Sequence, residues 1–81
     1  MNKDEKKIWE YLLKYRADFD NGLRADSSPV RKEIAIGTGI GETMINWYLE
    51  RWNKNGVISL IRGHRNIVLG ETKLLKVKHK K

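Results

Sequence analysis

At 81 residues, with 17 Lys and Arg against 10 Asp and Glu, the chain has room for one small core and not for most enzyme folds. Cysteine is absent, which excludes a disulfide framework, a thiolate nucleophile and a cysteine-based zinc site. No apolar run approaches the ~20 residues of a membrane span, and the polar, mixed-charge start Met1-Asn2-Lys3-Asp4-Glu5 is unlike a signal peptide, so a soluble, cytoplasmic protein is expected.

The first predicted helix runs from about Asp4 to Ala17. Ile8, Leu12, Tyr15 and Phe19 form one stripe at helical period, Trp9 and Leu13 widen it, and Asn2 or Asp4 can cap its start. Asp18-Phe19-Asp20-Asn21-Gly22 should end it, because Asn-Gly favours positive φ. A loop follows, with a short extended piece at Leu23–Ala25. Ser28-Pro29 reads as the start of a second helix over Pro29–Ile36, Ser28 as cap and Pro29 at the first helical position, with Val30 and Ile34 buried. Gly37-Thr38-Gly39-Ile40-Gly41 makes a tight turn anchored by Ile40. The third helix spans about Glu42–Asn55, with Ile45, Leu49 and Trp52 inward and Met44 and Tyr48 flanking them; Gly56 stands where a left-handed cap belongs. Val57–Arg62 and Ile67–Leu69 are two β runs around the turn Gly63-His64-Arg65-Asn66. Residues 71–81 form a separate basic tail or arm in which Leu74, Leu75 and Val77 are set among lysines.

Charge is uneven along this order. Residues 62–81 hold Arg62, Arg65, Lys73, Lys76, Lys78, Lys80 and Lys81 against Glu71 alone, so almost all of the net +7 sits there and points to a polyanionic partner.

Helix, loop, helix, glycine-rich turn, helix, hairpin is the winged helix-turn-helix order, mainly α with a small β-hairpin, expected here over residues 1–70. Within it, Pro29-Val30-Arg31-Lys32-Glu33-Ile34-Ala35 with Gly39-Ile40, then Ile45, Leu49, Trp52, Asn55-Gly56-Val57-Ile58 and the wing Arg62-Gly63-His64-Arg65-Asn66-Ile67, resembles the N-terminal DNA-binding domain of LexA-type repressors. A weaker likeness is to MarR-type regulators. The resemblance implies double-stranded DNA as partner, with the third helix in the major groove and the wing on phosphate or the minor groove. One departure is chemical: the third helix has no basic residue in its first two turns.

On that placement Glu42, Thr43, Asn46, Trp47, Glu50 and Arg51 point outward. Asn46 can pair with adenine N6 and N7, Thr43 can meet a base or phosphate, and Trp47 can pack on sugar or a thymine methyl. Arg51 lies a turn further on, at phosphate distance. The plainer readings are a solvated amide for Asn46 and a core or dimer contact for Trp47. Arg62, His64 and Arg65 crowd a hairpin tip, where they contact phosphate or a narrow minor groove, or else form a solvated turn. Ser28, Arg31 and Lys32 are further phosphate candidates at the second helix, though capping alone explains Ser28. Lys73, Lys76, Lys78, Lys80 and Lys81 would add non-specific, salt-sensitive attraction.

A sequence-specific regulator of this size would act as a homodimer, and Trp9 and Leu13 together with Leu74, Leu75 and Val77 are the candidate contacts. Two other readings are carried: a DNA-organising or replication-associated protein without sequence preference, and a protein-interaction winged helix, suggested by Trp47 with Glu42 and Glu50. No enzyme, cofactor or metal site is expected. The glycine-rich turn follows a helix and not a strand, and His64 and His79 have no carboxylate cluster beside them.

Overall fold

A computed structural model describes residues 1–61 and 65–69. Three helices are followed by two antiparallel strands: α1 (Lys3–Asp20), α2 (Arg31–Thr38), α3 (Glu42–Lys54), β1 (Ile58–Leu60) and β2 (Ile67–Leu69). The arrangement is mainly helical with a hairpin, compatible with a small winged-helix-like fold. No helix among the described residues is long and apolar enough to cross a membrane.

Asn2 caps α1, its side-chain oxygen accepting from the Glu5 N–H at 2.8 Å. The helix outruns its expected end by three residues, to Asp20. Two pairs one turn apart, Lys14–Asp18 and Arg16–Asp20, hold the added turn. Gly22, at φ 76°, then closes it, with its own N–H bonded to Phe19 O and the Leu23 N–H bonded to Asp18 O. Gly56, at φ 77°, ends α3 in the same way, through bonds to Asn53 O and Trp52 O. The expected extended piece at Leu23–Ala25 is absent; that stretch is exposed loop.

The start of α2 differs from expectation for a tertiary reason. Ser28 is buried, its hydroxyl accepts from the Ile67 N–H at 3.1 Å, and it therefore does not cap α2. The chain stays extended through Val30, whose N–H donates to the Glu33 carboxylate at 2.8 Å, and helix begins at Arg31. Gly39, at φ 75°, ends α2. Gly37 lets α2 lie against α1: a Cβ there would collide with the Tyr11 ring.

The core joins Ile8, Trp9 and Leu12 of α1, Ile34 of α2, Ile45, Tyr48, Leu49 and Trp52 of α3, and Ile58 and Ile67 of the hairpin. Fully burying each large apolar side chain is worth about 1.5–3 kcal/mol. Trp9 meets Trp52 edge-on, with ring centres 5.2 Å apart. Two polar ties fasten the start of α1 to α3: the Trp52 indole N–H donates to Glu5 at 3.0 Å, and the Asn2 amide donates to the Tyr48 hydroxyl at 2.7 Å. In the hairpin, Ile58 pairs with Leu69 and Leu60 with Ile67, all four facing inward, while Ser59 and Val68 pair on the outer face.

This core corrects the proposed dimer surface. Trp9 is 3% exposed and interior, so α1 does not offer it as a contact, whereas Leu13 packs against the same cluster and keeps part of its surface. Leu74, Leu75 and Val77 lie outside the described residues.

Candidate nucleic-acid interface

Helix α3 divides cleanly by face. Successive residues advance by about 100°, so Ile45, Tyr48, Leu49 and Trp52 share the inner side, and Thr43, Trp47, Glu50 and Lys54 stand opposite, all exposed. The flank that carries Asn46 and Asn53 runs along the hairpin, because the Asn53 side chain accepts from the Leu60 N–H. The flank that carries Met44 and Arg51 runs beside the start of α1, where Tyr48 meets Asn2. Asn46 is exposed and free of any protein partner among the described residues.

Between the outer face and the α1 flank lies an open, largely apolar groove of about 560 Å³, lined by Gly41, Thr43, Met44, Trp47 and Tyr48. Trp47 is 54% exposed and Met44 45% exposed, a costly display for so small a protein. Arg51 sits over the Trp47 ring at 5.4 Å, fixing the indole and placing a cation at the groove's rim. Met44 and Tyr48 were legible only as flanks of an apolar stripe, not as parts of a groove.

A second cluster forms where β2 meets the start of α2. Arg65 donates to the Tyr15 hydroxyl at 2.7 Å, to Ser28 O at 3.0 Å and to the Glu33 carboxylate at 2.9 Å, and it lies 3.3 Å from Asp26. The Arg24 guanidinium lies over the Tyr15 ring, 4.0 Å from its centre. The Glu33 carboxyl is kept below its usual range, first by the Val30 N–H and then by Arg65; Glu33 in turn raises the Arg65 pKa. Arg31 donates to the Asn66 side chain at 3.0 Å, a second tie between α2 and the hairpin.

These contacts revise the phosphate candidates. Arg65, two residues before β2, makes these contacts within the protein while its side chain stays about one-third exposed. Ser28 has its hydroxyl spent internally and is 4% exposed, which removes it as a phosphate donor. Arg31 is partly engaged, whereas Lys32 and Arg51 are exposed. Arg62 and His64, with Lys73, Lys76, Lys78, Lys80 and Lys81, lie outside the described residues. No group of three metal-ligating side chains gathers among the described residues. The roles of Glu33, Tyr15 and Asp26 escaped sequence reasoning; the one local signal was Glu33 standing three residues after Val30, the last extended residue before α2.

Compared with family models, curated proteins and solved structures, the chain matches none of them.

Proposed function

We propose that this chain is a small regulator that binds double-stranded DNA in the cytoplasm, with α3 in the major groove. The observation that carries the reading is the division of α3: its inner face is wholly spent on the core, and Thr43, Asn46 and Trp47 are left exposed on its first two turns, where a reading helix meets base edges. The charge supports it. The net +7 is concentrated in residues 62–81, and exposed Lys32 on α2 and Arg51 on α3 add further cations. The likeness of its helix-turn and wing positions to LexA-type repressors points the same way.

In this reading Asn46 contacts adenine, Thr43 a base or phosphate, and Lys32, Arg51, Arg62, His64 and the tail lysines meet phosphates. Arg65 holds the wing in place without touching the duplex. One observation favours a second reading, non-specific DNA organisation: α3 carries Glu42 and Glu50 against Arg51 and Lys54, so the presented helix has no net charge of its own.

Selection from a pool of random-sequence duplexes at ~150 mM salt separates the two, since non-specific attraction is weakened there. A regulator enriches a short motif, as an inverted repeat if it acts as a dimer; an organiser retains duplexes without enrichment. Asn46→Ala should then weaken the selected site by about 1–3 kcal/mol, roughly 5- to 150-fold, measured by fluorescence anisotropy. Absence of any retained duplex would refute both readings.

A further inference from the structure

We infer that the groove at the start of α3 is a thymine-reading site, seating the 5-methyl groups of thymines in the major groove against Met44, Trp47 and the Thr43 methyl. The inference rests on α3 being the major-groove helix, and it names what that helix reads.

Three observations carry it. The groove is lined almost wholly by apolar atoms and opens on the same two turns that present Asn46. The thymine methyl is the one apolar group that a base pair offers on its major-groove edge. Next, no Arg or Lys occurs between Glu42 and Glu50, so the commonest guanine contact, a basic side chain on O6 and N7, is unavailable from this stretch. Asn46, on the adjacent flank, is suited to the adenine of a neighbouring A·T pair. Finally, the Arg51 guanidinium lies over the Trp47 ring, 5.4 Å from its centre, so the apolar groove has a cation beside one of its lining residues, which complements a methylated base edge beside a phosphate backbone.

A second copy of the chain is a poorer occupant. Two copies joined through this face would bring two Arg51 rims together on molecules that each carry +7. An anionic duplex meets the same rim favourably.

The test uses the full chain and the duplex most enriched from the random pool at ~150 mM salt, remade with deoxyuridine in place of thymidine on both strands. The sequence is unchanged and only the methyl groups are lost. Affinity should fall about fourfold for each methyl seated, the factor expected for one buried apolar carbon. Trp47→Ala should abolish the difference between the two duplexes while melting as the wild type does; Met44→Gln serves as a second variant with the same readout. Equal affinity of the wild type for the two duplexes overturns the inference and leaves DNA binding standing. A thymine preference that persists in both variants overturns the assignment to this groove. If no duplex is retained at all, the major-groove reading fails and the inference falls with it.

Discussion

Arg65 is the residue on which the hairpin's position turns. Its partners come from α1 (Tyr15), the following loop (Asp26 and Ser28) and α2 (Glu33), so one guanidinium ties three parts of the chain to the foot of β2. Arg65→Ala should lower the melting temperature clearly more than Arg51→Ala, since Arg51 has only the exposed face of Trp47 beneath it; equal effects in a thermal melt would count against that role. Glu33 adds a pH dependence of defined sign. Its folded pKa lies below the usual 4.5, mainly through the Val30 N–H, so the stability it contributes is complete above about pH 4.5 and is lost as pH falls through the lowered folded value. Glu33→Gln keeps the acceptor oxygen but removes the charge. Wild type should therefore exceed the variant in melting temperature at neutral pH, and the gap should close in acid.

Among the elements, α1 and α2 meet at a contact that only glycine permits. An alanine at position 37 would place its Cβ against the Tyr11 ring, which is half-buried beside Tyr15 at a ring separation of 6.1 Å. Gly37→Ala should destabilise by about 1–3 kcal/mol, the usual cost of overpacking. In a Tyr11→Ala background the same change should reverse sign and stabilise by up to ~1 kcal/mol, because only the better helix propensity of alanine remains. Denaturant unfolding of the four proteins measures the coupling directly. The element with the clearest local signals was the best placed. The stripe Ile45, Leu49, Trp52 and the cap at Gly56 placed α3 to within a residue. The start of α2 was not readable, since Ser28-Pro29 carries every local sign of a helix start and yet Ser28 accepts from Ile67, 39 positions away. The internal contacts of Arg65 were hidden for the same reason: its hydrogen-bond partners lie 32 to 50 positions distant, and a cationic turn looks alike whether it faces solvent or a buried tyrosine.

For the molecule as a whole, charge and shape are segregated. The described body measures 33 × 27 × 25 Å and its helix α3 carries no net charge, whereas the cationic excess belongs to residues 62–81. Affinity and selectivity should therefore separate. Changing Lys73, Lys76, Lys78, Lys80 and Lys81 to Gln should reduce the slope of log K against log salt by up to about 4.5 while the preferred sequence stays the same, as read by repeating the duplex selection. A slope that did not move would remove those lysines from the interface.

The three tryptophans differ sharply in surroundings: Trp9 and Trp52 are each 3% exposed, and Trp47 is 54% exposed. Their emission should therefore divide into a blue-shifted component from the interior pair and a red-shifted component from Trp47 that aqueous iodide can quench. Unfolding moves the first component, and anything that settles over the outer face of α3 shields the second. The protein thus reports its own folding and the covering of its candidate interface in a single spectrum, without an added dye.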